Sequence, residues 1–427
     1  MWPPGRVGVR RPGRVGAVRQ VGLRYSRPVA AAVAVIGAGT MGAGIAQVAL
    51  EAGWEVRIHD VTPGAVERAR ERIRGGLMRR ASRAVPDPAQ RDGFVAGYLE
   101  RLAVAGTPAE AAAGAQLVIE AVVEELEAKR ALVAELDAAT TWDTILATNT
   151  SALSVSKIAD GARIAPERVL GLHFFNPAPV LPLVEVVPGL RTADWAIERA
   201  AGFVEGWGKT PIRCADSPGF IVNRVNRPFT LEALRLLHSG AASVEGIDAA
   251  VVEAGFPMGP FALMDLIGID VNLAAAGSLF EAFGRPPRLR PSPIQEELVA
   301  AVRLGRKTGE GFYRYEGGQQ RGPAARFAAA PSRAAPDVGD APGSTGIADR
   351  LILAIVNEAY RALGDGVATA PDIDRAMQLG AGHPFGPFEW AARTGLVEVT
   401  LMLDALAAED ADTFRPALAL LREVRGP

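Results

Sequence analysis

Residues Ala32 to Asp60 read A-V-A-V-I-G-A-G-T-M-G-A-G-I-A-Q-V-A-L-E-A-G-W-E-V-R-I-H-D. The run holding Val33, Val35 and Ile36 is short, apolar and β-branched, as a strand buried on both faces of a parallel sheet must be. Gly37, Gly39 and Gly42 follow at G-x-G-x-x-G spacing. A helical segment then reaches to about Ala52, and a second strand, Trp54 to Ile58, leads to Asp60. In this strand–turn–helix–strand setting the three glycines form a dinucleotide fingerprint. Gly37 permits the tight turn, Gly39 lets the backbone approach a pyrophosphate, and Gly42 lets helix and strand pack closely. Thr40 and Met41 open the helix, whose free N–H groups and positive dipole end suit that pyrophosphate. A carboxylate at Asp60 can accept both ribose hydroxyls and would repel a 2′-phosphate, so the expected cofactor is NAD rather than NADP. The competing reading is a membrane span, because 29–50 carries no charge and is about 20 residues long. Four glycines, Gln47, Thr40 and the polar-ended strand behind it argue for the fingerprint.

The chain has 427 residues, 49% of them apolar and 22% charged, with a net charge of −2. Such a composition suits a soluble globular protein of two or three domains and gives no reason to expect nucleic-acid or membrane partners. A single cysteine, Cys214, excludes an internal disulfide and any cysteine metal cluster. With four His and no HExxH-type spacing, no metal site is expected. Residues 1–28 hold seven Arg and no acid, without helical or strand periodicity, and are expected to be a disordered extension.

Beyond Asp60 the pattern alternates. Pro63 to Arg83 and Ala89 to Leu102 read as helices, the first rich in Arg. They form a hairpin that is either a solvated surface or a clamp for an anionic ligand. Strands are expected at Leu117–Val123, Thr144–Thr148, Val169–Phe174, Leu183–Val187 and Pro211–Cys214, with a helix over Asp194–Trp207. Strands alternating with helices imply one doubly wound α/β domain over 29–216. After Ser217 the segments become amphipathic and helical: Gly219–Ser239, Ser243–Ala254, Gly259–Phe283 and Ile294–Leu304. They give an all-α domain over 217–316. Residues 317–345, rich in Gly, Pro, Ala and Ser, read as a linker.

A repeat follows. E-A-L-R-L-L-H-S-G-A-A-S-V-E-G-I-D from Glu232 matches E-A-Y-R-A-L-G-D-G-V-A-T-A-P-D-I-D from Glu358, at an offset of 126. One residue further on, Gly259-Pro260-Phe261 matches Gly386-Pro387-Phe388. The helical domain is therefore duplicated over 346–427. Asn223-Arg224 corresponds to Asp349-Arg350, so the second copy lacks the asparagine. It is expected to dock on the first copy of its own chain through Leu351, Ile355 and Leu363, with homodimerisation of whole chains remaining open.

His173, in G-L-H-F-F-N-P, ends a strand at the carboxyl edge, where ligands bind in such sheets. Glu185 lies inside the apolar strand L-V-E-V-V, where an unpaired charge would be costly. His173 on the neighbouring strand can pair with it. The carboxylate would then fix the imidazole tautomer and leave the other ring nitrogen free as a general base. A structural His and Glu at strand ends would produce the same spacing. Ser151 alone reads as a helix N-cap.

These segments carry a resemblance. V-I-G-A-G-T-M-G, A-T-N-T-S-A-L-S, G-L-H-F-F-N-P-A-P-V, L-V-E-V-V, S-P-G-F-I-V-N-R, A-G-F-P-M-G-P-F and G-R-K-T-G-E-G-F-Y follow one another as in the L-3-hydroxyacyl-CoA dehydrogenase family. The tandem helical domains resemble its 3-hydroxybutyryl- and 3-hydroxyadipyl-CoA branch. The resemblance implies NAD-dependent oxidation of (3S)-3-hydroxyacyl-CoA to 3-oxoacyl-CoA, in fatty-acid or phenylacetate-type catabolism in the cytoplasm. It implies His173 as base, Glu185 as its orienting carboxylate, and Ser151 and Asn223 as polar contacts to the substrate oxygen. Glu124, Lys129 and Asn149 then stand near the cofactor with the fingerprint residues. Asn176 reads as structural, and the Arg-rich hairpin stands where relatives hold the CoA nucleotide. Two other readings compete. A non-catalytic NAD-binding structural protein would show damage in this set, and none is visible. A β-hydroxyacid dehydrogenase of similar plan would carry a catalytic Lys in Gly219–Arg224, which has Asn and no Lys.

Overall fold

A computed structural model describes residues 31–328 and 346–426. The Arg-rich extension and most of the expected linker lie outside the described residues. Eight strands form one sheet: β1 (Ala32–Ile36), β2 (Glu55–His59), β3 (Leu102–Val104), β4 (Leu117–Glu120), β5 (Ile145–Thr148), β6 (Val169–Phe174), β7 (Leu183–Pro188) and β8 (Thr210–Arg213). Their order is β3-β2-β1-β4-β5-β6-β7-β8. All neighbours are parallel except β6 and β7. Between β1 and β4 the strand order reverses, which opens a crevice at the carboxyl ends. Val33 and Val35 pack into one apolar layer, Ala34 and Ile36 into the other. Both faces of β1 are covered, and this is why it reads as a continuous apolar run.

Helices α1 (Thr40–Glu51), α2 (Ala65–Ala84), α3 (Arg91–Leu99), α4 (Pro108–Ala112), α5 (Leu126–Ala139), α6 (Val155–Ala159) and α7 (Asp194–Gly206) flank the sheet. The second expected helix of the hairpin ends early, because Leu102–Val104 joins the sheet beside β2 as a short edge strand.

The first helical copy contains α8 (Val222–Val225), α9 (Arg227–His238), α10 (Val244–Glu253), α11 (Pro260–Ile267), α12 (Ile269–Ala282) and α13 (Pro293–Ala300). Two expected helices are broken. Gly219–Ser239 begins as a turn and is interrupted at Asn226, because Pro228 in the first turn of α9 has no N–H to continue the ladder. Gly259–Phe283 bends by 100° at Gly268, whose φ of +107° suits glycine. No single helix among the described residues is long and apolar enough to cross a membrane. The linker expectation also needs correction at its start. Residues 313–323 form a hairpin, β9 (Tyr313–Glu316) with β10 (Gln319–Pro323). Gly317 and Gly318, both at positive φ, make its two-residue turn.

The second copy contains α14 (Ile347–Gly364), α15 (Ala370–Gly380), α16 (Pro387–Thr394), α17 (Leu396–Ala407), α18 (Ala411–Phe414) and α19 (Leu418–Arg425). Its α14 packs on α9, with Leu351 and Ile355 buried and Leu363 half-buried. The copies share local devices. Asp248 accepts from the amides of Phe261 and Ala262, and Asp374 from those of Phe388 and Glu389. The second copy also reaches the sheet domain. A Cβ on Gly380 would lie 2.6 Å from Leu183 of β7 and 3.0 Å from Val222.

Candidate active site

At the carboxyl end of β1 the three fingerprint glycines do different work. Gly37 has φ +104°, and a Cβ there would lie 2.4 Å from the Ala121 carbonyl oxygen. A Cβ on Gly42 would lie 1.9 Å from the Gly37 oxygen. A Cβ on Gly39 would meet nothing within 4 Å, so this exposed residue borders open space. Thr40, exposed, and Met41, half-buried, begin α1 with no side-chain cap on its N-terminus. Asp60 stands across this turn. Its Oδ2 accepts from the Ala38 amide at 2.6 Å and its Oδ1 from the Thr62 amide at 2.7 Å. Burial would raise its pKa, but these amides outweigh burial and hold it below the ordinary value. Asp60 is thus a fixed anion, and each oxygen keeps a lone pair for a ribose hydroxyl. Open space at Gly39, uncapped amides and this carboxylate fit NAD.

Glu124 and Lys129 flank the next part of the crevice, but not as equals. Lys129 is only 1% exposed. Its ammonium donates to both oxygens of Glu120 at 3.0 and 2.9 Å and lies 3.3 Å from Glu124. It therefore offers no free cation to the cofactor groove, and acts by fixing two carboxylates. Glu124 accepts from the Thr150 hydroxyl at 2.6 Å, the Ser151 amide at 2.8 Å and the Ser151 hydroxyl at 3.3 Å. Burial would raise the Glu124 pKa, but Lys129 and these donors hold it below the ordinary value. The Asn149 Oδ1 accepts from the Phe174 amide at 2.9 Å, tying the end of β5 to the residue after His173. That bond uses its carbonyl structurally.

His173 and Glu185 are opposite residues in the antiparallel β6–β7 pairing. The His173 Nδ1 and the Glu185 Oε2 are 2.6 Å apart. Glu185 is fully buried, and its Oε1 accepts from the amides of Ile221 and Val222 at 3.0 and 2.9 Å. An anionic carboxylate takes all three donors, so Nδ1 carries the proton and the Nε2 lone pair is left free. Phe175 and Phe220 flank the imidazole, with ring centroids 4.5 and 5.6 Å away. Asn223, one residue after Val222, donates from Nδ2 to the Ser151 carbonyl at 3.3 Å. The sheet domain and the first helical copy thus meet at this point, with Ser151, His173, Glu185 and Asn223 drawn from four separate segments.

Between α1, α2 and the 176–180 loop lies a cavity of about 550 Å³. Arg72, Arg79, Arg80 and Arg83 of α2 line it, and Thr40 joins it to the cofactor turn. The hairpin left open between solvated surface and clamp therefore presents four guanidiniums to one cavity. Asn176 is exposed on its far wall.

Two supporting residues carry only faint marks in the sequence. Glu120 reads as the polar end of β4, and only its buried partner Lys129 reveals its work. Asp216 accepts from the Ser154 hydroxyl at 2.8 Å and from the amides of Val155 and Ser156, which fixes the segment after Ser151. Its signal was an acid just past β8 and before a Pro-Gly turn.

Comparison with known proteins agrees with this geometry. Residues 32–217 match the 3-hydroxyacyl-CoA dehydrogenase NAD-binding domain. Residues 219–315 and 347–425 match the C-terminal domain of the same family, so the duplication is visible there too. A 3-hydroxyadipyl-CoA dehydrogenase of Escherichia coli is 38% identical over 92% of this chain and 96% of its own. The mitochondrial hydroxyacyl-coenzyme A dehydrogenase of Rattus norvegicus is 42% identical over 66% of this chain and 91% of its own. The crystal structure of a 3-hydroxybutyryl-CoA dehydrogenase from Escherichia coli superposes with a TM-score of 0.82 at 36% identity, covering 93% of this chain and 98% of that one. The chain belongs to the 3-hydroxyacyl-CoA dehydrogenase family.

Proposed function

We propose that this protein oxidises (3S)-3-hydroxyacyl-CoA esters to 3-oxoacyl-CoA with NAD, with His173 as the general base. The observation that carries the reading is the His173–Glu185 contact of 2.6 Å, with the second Glu185 oxygen clamped by two amides. Glu185 cannot swing away, so the imidazole is held in one orientation and one tautomer. Its free Nε2 takes the proton from the C3 hydroxyl, and Glu185 stabilises the imidazolium that results. Bound NAD supplies the acceptor for the C3 hydride. Ser151 and Asn223 hold the substrate oxygen. The Ser151 hydroxyl rests on Glu124 at 3.3 Å and turns from it to the substrate. The arginines of α2 hold the phosphates of CoA, a pairing for which guanidinium is well shaped.

An intact set of this kind supports an enzyme over a structural NAD-binding protein. The absence of Lys from Gly219–Arg224 supports it over a β-hydroxyacid dehydrogenase. The reading extends to a cytoplasmic enzyme of fatty-acid or phenylacetate-type breakdown. A panel of 3-hydroxyacyl-CoA esters with NAD, including the butyryl and adipyl esters named for its relatives, tests it by NADH formation. Turnover of at least one ester is expected. Inactivity across the panel would refute the proposal.

A further inference from the structure

Glu51, at the end of α1, is the one acid among the described residues lining the arginine cavity. Its side chain is 16% exposed. Its Oε2 accepts from Nη1 of Arg80 at 2.5 Å, and its Oε1 from Nε2 of Gln47 at 2.8 Å. Gln47 is itself buried beneath α2, where a Cβ on Gly76 would lie 2.0 Å from its Oε1. The carboxylate is thus locked in place, with one partner on each oxygen. Arg72, Arg79 and Arg83 line the same cavity and meet no carboxylate among the described residues. Arg80 alone is countered.

This arrangement matters for any ligand carrying several phosphate charges. Glu51 holds only Nη1 of Arg80, so a phosphate that binds the remaining N–H groups meets a guanidinium whose charge is already partly countered. A phosphate on the other arginines, which are exposed, still meets the like charge of Glu51 within about a Debye length, partly screened by solvent and salt. We propose that Glu51 is a resident counter-anion of this cavity, occupying Arg80 in the free protein and setting how tightly the phosphates of the CoA moiety are held. The inference rests on the reading of this cavity as the CoA nucleotide site. In that reading Glu51 limits affinity so that product CoA ester leaves.

The test uses the full chain carrying Glu51→Gln, which keeps the shape and removes the charge, with Glu51→Ala beside it. KM is measured at low salt for (3S)-3-hydroxybutyryl-CoA and for the matching pantetheine ester, which lacks the nucleotide. Both variants are expected to lower KM for the CoA ester roughly three- to tenfold, the range of a partly screened ion pair. Added salt should shrink the effect, and KM for the pantetheine ester should not move. An unchanged or raised KM for the CoA ester would overturn the proposal, as would an equal fall for both esters. Arg83→Ala separates the two readings. If it raises KM for the CoA ester alone and Glu51→Gln does nothing, the cavity holds the nucleotide and only the counter-anion idea fails. If Arg83→Ala moves neither KM, the cavity reading fails and this proposal with it.

Discussion

Nε of Arg224, in the first helical copy, donates to Oε1 of Glu358, in the second, at 3.0 Å. The return contact exists as well: Nε of Arg350 donates to Oε1 of Glu232 at 2.6 Å. Since Arg224 corresponds to Arg350 and Glu232 to Glu358, each copy gives the other the same pair of residues. That reciprocity is the pattern of a two-fold interface between identical subunits, here built within one chain. Arg224 lies between Asn223 of the site and the second copy, so the interface also supports α8.

Glu358 is fully buried and takes Arg224, Arg288 and Arg361 together. Burial would raise its pKa, and the three arginines overcome burial and hold it below the ordinary value. Glu358→Ala leaves buried Arg224 without that partner and should cost about 3–5 kcal/mol of stability. Glu232→Ala should cost a similar amount, because it removes the equivalent partner of Arg350 and Arg235. Denaturant unfolding of both variants measures this, and a loss below about 1 kcal/mol in either would contradict the interface described.

His383 corresponds to Phe256 and packs on it with ring centroids 4.9 Å apart. Its Nε2 is 2.9 Å from Asn226 Oδ1, and burial pushes its pKa down to about 3. The folded value lies below the ordinary 6.5, so the unfolded chain takes up a proton that the folded chain refuses. Stability from this group is complete above 6.5 and drains as pH falls toward 3, by about 1.4 kcal/mol per unit. His383→Phe should flatten the stability curve between about pH 5 and 6.5, a window set by the ordinary imidazole value. Urea unfolding across that range checks it, and an unchanged slope would show that His383 does not titrate this way.

Asp60 should set the choice of cofactor. Asp60→Ala removes the acceptor for the ribose hydroxyls and the repulsion of a 2′-phosphate. It also frees the Ala38 amide in the fingerprint turn. NAD should bind at least about tenfold more weakly, with the gap to NADP narrowed, on the usual worth of a charged hydrogen bond. Dissociation constants for both cofactors decide it, and a wild-type protein that uses NADP as well as NAD would contradict the role given to Asp60.

Much of this arrangement was legible in the sequence because strong local rules apply to it. Three glycines at fixed spacing between an apolar strand and a helix have few other uses. A single Glu inside L-V-E-V-V demands a partner, and antiparallel register delivers His173 to it. Ser151 and Asn223 were legible only through the resemblance, since each alone reads as an ordinary polar residue. What escaped depends on tertiary context. Leu102–Val104 is too short to show alternation, and only Leu102 is buried. Gly268 lies in an apolar run whose periodicity continues past it, so the 100° bend leaves little trace. The role of Lys129 followed from its burial, which no motif encodes. Glu51 stands 29 residues from Arg80, and nothing but the packing of α2 on α1 brings them together.

The most direct test of the account is the rate of NADH formation by His173→Ala with a turned-over 3-hydroxyacyl-CoA, set against the NAD dissociation constant of the same variant. The account predicts a turnover lower by roughly 10²–10⁴, the usual worth of a general base, with NAD binding little changed. Turnover within a few-fold of the wild type would contradict it, because the proton would then be leaving the substrate without the His173 imidazole.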